Sequence, residues 1–216
     1  MTLGEPMLRV ILTGVFLTFI LMAAPRMALA DDDLDTCYSG KFTQREIDVC
    51  TRVIGNTKLE GKDLARVYYE QALKYRLTKQ HPNALADVNT ALKLDPEFNY
   101  AYALRAHVYA DLGDFDKALA DHTTILKMTP DSAVAYTGRA IEYMRQKKYD
   151  LAFADLDKSL ELNPKYFYGY FYRGDAYMET NDLRKAITDY EMAASIDPDD
   201  QNTKTRLQAA KARLRR

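Results

Sequence analysis

Cys37, Cys50, His81, His107 and His122 are the only cysteines and histidines in the chain, so thiol or imidazole chemistry would have to run through them. The cysteines stand 13 positions apart, which is not the C-x-x-C spacing of a redox pair. No histidine or second cysteine pair lies near them in sequence, so a thiolate metal site lacks its partners. His81 precedes Pro82 in a turn-like stretch, and His107 and His122 fall on helical stripes. His107 with Asp111 is an i, i+4 pair, a spacing that by itself marks a surface contact. No H-E-x-x-H, G-x-S-x-G or phosphate-cradling glycine loop occurs. The acidic run Asp31-Asp32-Asp33-Leu34-Asp35 lacks the spaced ligands and glycine of a calcium loop. The expectation is therefore no enzyme, no metal and no cofactor.

Two other residue types recur at fixed positions and do ionic rather than catalytic chemistry. Arg105, Arg139 and Arg173 are 34 apart, as are Asp87, Asp121, Asp155 and Asp189. Each arginine precedes an aspartate by 16 residues, which in a helical hairpin brings the two to similar height. The spacing predicts structural ion pairs Arg105–Asp121, Arg139–Asp155 and Arg173–Asp189, partly buried and bidentate. The first copy carries Gln71 where an arginine is due.

The elements that hold these residues follow from the same period. Pro96, Pro130, Pro164 and Pro198 are spaced by 34, and the first three are followed six residues later by Tyr102, Tyr136 and Tyr170. Within one copy, Tyr102, Ala106 and Tyr109 form an i, i+4, i+7 stripe, Gly113 interrupts it, and Ala118, His122 and Ile125 form a second stripe before Pro130. Each unit reads as helix–turn–helix with a proline-marked exit, since proline disfavours helical geometry in the residue before it. Four units follow, at 65–98, 99–132, 133–166 and 167–200. Residues 201–216 read as a capping helix with Leu207, Ala210 and Leu214 on one face. Residues 31–64 read as an amino-terminal cap around a degenerate half-repeat helix.

Ahead of these, Arg9, an apolar run from Val10 to Ala24 and the A-x-A of Ala28–Ala30 read as an export signal spanning 1–30 and removed by cleavage. The run is shorter than the ~20 apolar residues a spanning helix needs, so no stable membrane insertion is expected after cleavage. An oxidising compartment, periplasmic or extracellular, then favours a Cys37–Cys50 disulfide. Net charge is −1 for the whole chain, and −2 without residues 1–30, from 28 basic against 30 acidic residues. That balance offers no polyanion-binding face, so nucleic acid is not an expected partner.

The pattern Tyr102-x2-Arg105-Ala106-x2-Tyr109…Ala118-x3-His122…Pro130 resembles the tetratricopeptide repeat, with Tyr for Trp and Arg for Leu. The lead-in from Cys50 to Tyr75 more narrowly resembles exported repeat proteins of alphaproteobacteria. The resemblance implies an all-α fold, a right-handed solenoid of helical hairpins, whose first helices line a concave groove that binds a peptide or protein segment without catalysis. Carried over slot by slot, the groove residues would be Arg66, Tyr69 and Leu73 in the first unit, and Tyr100, Leu104 and His107 in the second. The third would offer Ile141 and Arg145, and the fourth Tyr168, Phe171, Tyr172 and Asp175. The Lys and Asn of the family's carboxylate clamp are missing from these slots, where Glu70, Leu104, Gly138 and Tyr172 stand instead. An aromatic groove takes the clamp's place, densest at Tyr166–Tyr172, and its rings either anchor a partner or pack against the terminal helix.

The function expected is an exported protein–protein interaction module, an adaptor or scaffold. The alternative is a structural accessory subunit of a cell-envelope enzyme or assembly complex, acting through its convex side or ends.

Overall fold

The computed structural model describes residues 31–56 and 58–215. The leader expected at 1–30 lies outside them. The described residues form eleven helices and no strands, an all-α helical-repeat fold. After α1 (Asp31–Tyr38) and α2 (Gln44–Asn56) come four hairpins. They are α3 (Gly61–Leu77) with α4 (His81–Leu94), α5 (Asn99–Asp111) with α6 (Phe115–Met128), α7 (Ala133–Arg145) with α8 (Tyr149–Leu162), and α9 (Phe167–Glu179) with α10 (Leu183–Ile196). The last helix is α11 (Gln201–Leu214).

Each hairpin turn is built the same way. Lys79, Gly113, Lys147 and Asn181 occupy left-handed backbone at φ 62°, 82°, 58° and 63°, again 34 residues apart. The next amide in each turn reaches back to the first helix: Gln80 N donates to Tyr75 O at 2.7 Å, Asp114 N to Tyr109 O at 2.8 Å. Lys148 N to Tyr143 O and Asp182 N to Tyr177 O repeat this at 2.9 Å. These bonds satisfy carbonyls that a helix end leaves orphaned, and they fix the angle at which the second helix returns. Side-chain caps start α7 and α11: Ser132 accepts from Ala135 N and Asp200 from Thr203 N.

The core is a string of small clusters, each set between neighbouring helices, as expected of a stack whose units touch only their neighbours. Ala72, Ala106, Ala140 and Gly174 occupy equivalent buried slots on the first helices, opposite Ala84, Ala118, Ala152 and Ala186 on the second. Volume is balanced across the interface. Tyr190 is the largest fully buried side chain, and a Cβ on Gly174 would stand 2.7 Å from its ring. Tyrosine fits there only because glycine faces it.

Both ends are closed. Cys37 and Cys50 are joined by a disulfide and are fully buried with Val49, Val53 and Val67. The segment carrying Cys37 is itself a short helix, α1, packed on α2 and also touching α3. Thr43 and Glu46 close the start of α2: the Thr43 hydroxyl and backbone N–H both donate to the Glu46 carboxylate. At the other end Leu207 and Ala210 of α11 pack on Met178, Ala186 and Tyr190. The apolar face expected to reach Leu214 stops short, because Leu214 is 46% exposed.

Candidate partner-binding groove

Which helices face inward is decided by which ones touch. The first helices of successive hairpins meet one another, α3 with α5, α5 with α7 and α7 with α9, whereas the second helices make no comparable contact. The array is therefore tighter on the first-helix side, and that side forms the concave wall.

The repeated arginines hold the hairpins in register away from this wall. Arg105 Nε and Nη2 donate to Asp121 at 2.9 and 2.6 Å, Arg139 to Asp155 at 2.7 and 2.7 Å, and Arg173 to Asp189 at 2.8 and 2.8 Å. Two of them spend a further arm on the preceding hairpin: Arg105 Nη1 donates to Asn89 at 2.7 Å and Arg173 Nη1 to Asp157 at 2.7 Å. Each guanidinium also lies over a tyrosine ring, Tyr102, Tyr136 and Tyr170, at 5.3, 5.6 and 5.7 Å. Hydrogen bonds to the aspartates are the main reason the arginine pKa values rise above their usual range. In the first hairpin Gln71 turns the other way and donates to Ile47 O and Thr51 Oγ1. Asp87 is left with an oxygen that finds no hydrogen-bond partner, and burial pushes its pKa up to about 7.

The concave wall holds a groove of about 580 Å³ across the second, third and fourth hairpins. Tyr100 and His107 of α5, Ile141 of α7, and Tyr168 and Tyr172 of α9 all line it. Tyr100 is 72% exposed and Tyr168 52%, so their rings present large apolar surface to solvent. The floor is His122 of α6, 3% exposed, with Gly138 of α7 above it. A Cβ at Gly138 would stand 2.5 Å from the imidazole, so the close approach depends on glycine. Neither ring nitrogen of His122 has a hydrogen-bond partner, and burial, with His107 and Arg139 nearby, lowers its pKa to about 4. His107 meets it edge-on, with ring centroids 6.2 Å apart. Burial in the wall chiefly lowers the His107 pKa too, although its ring keeps an open side to solvent. Asp111 is engaged elsewhere, by Arg76 at 2.7 Å, so the expected His107–Asp111 contact is not the one formed.

Other residues assigned to the groove stand outside it. Leu104 is 4% exposed and packs with Leu92, Ala101 and Val108, because its slot faces the preceding hairpin rather than solvent. The same slot is open at Gly138, and Tyr172 at the equivalent place is long enough to span from the Ala140–Leu156 cluster to the groove. Leu73 belongs to the first core cluster, Tyr69 packs against Phe98 at 5.1 Å between ring centroids, and Arg66 lies over Tyr38 of the amino-terminal cap at 4.9 Å. Arg145 pairs with Glu142 at 3.5 Å. Phe171 turns to a second hollow beside the α10–α11 link, 6.2 Å from the Tyr190 ring. Asp175 accepts from the Tyr190 hydroxyl at 2.6 Å and pairs with Arg206 at 3.5 Å, which ties α9 to α10 and α11. Tyr168 and Tyr172 thus line both the groove and the second hollow, whereas Phe171 lines only the second.

Asn99, Asp131 and His122 line the groove without having been assigned to it from sequence. One signal was present: His122 fills a slot held by Val88, Leu156 and Tyr190 in the other hairpins, and an imidazole in an apolar slot marks a place where packing is not the whole account. No three His, Cys, Asp or Glu side chains among the described residues converge to hold a metal ion.

A stack of helical hairpins with a concave groove defines the class, a helical-repeat protein. Residues 100–132, 133–166 and 167–200 each match a family model described as tetratricopeptide repeat, so the chain carries tetratricopeptide repeats. No curated protein matches it in sequence. Among solved structures, the first TPR of Spaghetti (RPAP3) bound to the HSP90 peptide SRMEEVD is 26% identical, covering 55% of this chain and 94% of that one at a TM-score of 0.52. A thermophilic TPR protein of Thermus thermophilus is 17% identical, covering 83% of this chain and 95% of that one at a TM-score of 0.70. MamA is 23% identical, covering 64% and 81% at a TM-score of 0.54. The latter two share the fold.

Proposed function

We propose that this chain is an exported, non-catalytic interaction module whose concave groove binds a segment of a partner polypeptide, so that it acts as an adaptor or scaffold in the periplasm or outside the cell. The observation that carries the reading is the groove itself. It is a 580 Å³ hollow walled by first helices, with Tyr100 and Tyr168 exposed although aromatic rings of that size are ordinarily buried. The peptide held by the RPAP3 repeat domain supports the view that such a scaffold accommodates a short segment of another chain. Export rests on the sequence of residues 1–30 and agrees with a Cys37–Cys50 disulfide; no helix among the described residues is long and apolar enough to cross a membrane.

A photo-crosslinking residue placed at Tyr168, and separately at Leu151 on the second helix α8, tests the reading in living cells. Crosslinked partner polypeptide from position 168 and not from 151 is the expected result. Crosslinks confined to 151 would transfer the function to the convex face, as in an accessory subunit.

A further inference from the structure

The groove has a polarity that its aromatic lining hides. Four tyrosines surround it, Tyr100, Tyr166, Tyr168 and Tyr172, and Asp131 is the one carboxylate among its lining residues, with no lysine or arginine among them. Asp131 lies just before α7, Tyr166 just before α9, and Tyr100 and Tyr168 in the first turns of α5 and α9, so all four stand at the same end of the groove. Tyr166 and Tyr168 meet at 5.8 Å between centroids, and Tyr168 stacks on Tyr172 at 6.3 Å. Asn99 adds an unpaired acceptor at that end: its amide nitrogen donates to Thr129 Oγ1 at 3.3 Å, while Oδ1, shut off from solvent, has no partner. A second unpaired polar side chain, His122, forms the floor.

Two features of the surroundings bear on the sign. The arginines whose fields reach the lining side chains are each engaged by a carboxylate: Arg76 by Asp111, Arg139 by Asp155, Arg145 by Glu142 and Arg206 by Asp175. Arg145 stands eleven residues beyond Val134, about 16 Å along the helix axis. Helix ends do not supply the negative sign: the amino ends of α5, α7 and α9 and the carboxyl end of α6 all border the groove, so the negative charge at this end is that of Asp131.

We propose that this end of the groove takes a basic side chain, arginine in preference to lysine, from the partner polypeptide; the inference rests on the groove reading above and gives the partner its chemistry. The fold already holds guanidinium groups in this way three times, with Arg105, Arg139 and Arg173 each over a tyrosine ring and forked onto an aspartate. Asp131 with the rings of Tyr100, Tyr166 and Tyr168 repeats those components at a surface open to another chain. Arginine is favoured because its planar head stacks on a ring while its forked donors match the carboxylate of Asp131, whereas an ammonium is a point charge. An acidic tail such as the SRMEEVD peptide held by the RPAP3 domain would meet a carboxylate and neutral rings here.

The test selects binders to the full chain from a random library of displayed peptides, then measures synthetic copies by fluorescence anisotropy. Selected peptides are expected to share one arginine, or less often lysine. Replacing that arginine by citrulline, which keeps the shape and loses the charge, is expected to weaken binding about tenfold. Asp131→Asn and Tyr168→Leu are expected to weaken the arginine peptide and to leave little difference between it and the citrulline form. Circular dichroism confirms that both variants keep their helix content. Peptides that need Tyr100 and Tyr168 but are indifferent to citrulline, or that place a carboxylate there, overturn the basic-side-chain inference and leave the groove in place. If no selected peptide depends on Tyr100 or Tyr168, both ideas fall.

Discussion

Asp87 and Asp155 occupy the same slot 68 residues apart, and only one of them has an arginine. The difference predicts opposite outcomes for one substitution. Asp155→Asn leaves the buried fork of Arg139 half-filled and is expected to cost about 2–3 kcal/mol. Asp87→Asn removes a carboxyl that the fold already disfavours as an anion, and is expected to be neutral or stabilising at pH 7. Its effect should depend on pH in a fixed direction. Burial raises the folded pKa of Asp87 to about 7, so ionisation favours the unfolded chain from about pH 4 upward and the penalty is complete once pH has passed about 7. The advantage of Asp87→Asn over the parent in chemical denaturation should therefore widen between pH 4 and 7 and then level off. His122 works in the other direction. Its folded pKa is lowered to about 4, so its contribution is full above pH 6.5 and is lost as pH falls through 4. His122→Phe should flatten the loss of stability over that interval, measured by thermal melts in a pH series. These contrasts were partly legible in sequence: the missing arginine at Gln71 shows directly. That Gln71 bonds to Ile47 and Thr51 of α2 is a tertiary fact, set by the amino-terminal cap and not by any spacing within the repeat.

At the scale of the element, the hairpin phase could be read from proline spacing alone, because one turn geometry is used four times. The chemistry of the turn could not. Gly113 advertises its left-handed backbone, whereas Lys79, Lys147 and Asn181 adopt the same conformation under constraint from the Schellman-type bonds around them. Lys79→Gly and Lys147→Gly are expected to raise stability by about 0.5–1 kcal/mol each, since a lysine Cβ is strained there. Gly113→Ala should lower it by a similar amount, as read from denaturant midpoints. The groove slots show where carrying over a pattern reaches its limit. Leu104, Gly138 and Tyr172 share a slot on one helix face, yet side-chain length places the first in the core, leaves the second as an opening over His122 and extends the third across to the groove. Helix α1 lay beyond the reach of the repeat pattern altogether, because a short acidic helix has little intrinsic stability without its partner. The disulfide supplies that tie, and replacing both Cys37 and Cys50 by serine is expected to cost about 3 kcal/mol for a loop of this length. α1 should then exchange its amides faster than α3 to α10 in hydrogen-exchange measurements.

Across the whole molecule, stability and function depend on the same fact: each hairpin buries its apolar face only against its neighbours. The groove spans residues from Asn99 to Tyr172, so three consecutive hairpins must be docked before the site exists. Closure of the carboxyl end is what keeps the fourth hairpin docked. Leu207 and Ala210 cover Met178, Ala186 and Tyr190, and Arg206 reaches Asp175, the carboxylate that also accepts from the Tyr190 hydroxyl. Ending the chain after Asp200 strips that cover from Tyr190 and leaves the Asp175–Tyr190 bond open to water. The α9–α10 hairpin is then expected to unfold ahead of the rest, turning one cooperative thermal transition into two, with Tyr168 and Tyr172 lost from the groove in the first. A groove-binding peptide should accordingly lose affinity at temperatures where only the fourth hairpin has melted, and adding the peptide should pull the early transition back toward the main one by mass action. A single unshifted transition in the truncated chain would mean that α9 and α10 are held by the third hairpin alone, and that α11 contributes solubility and not the integrity of the binding wall.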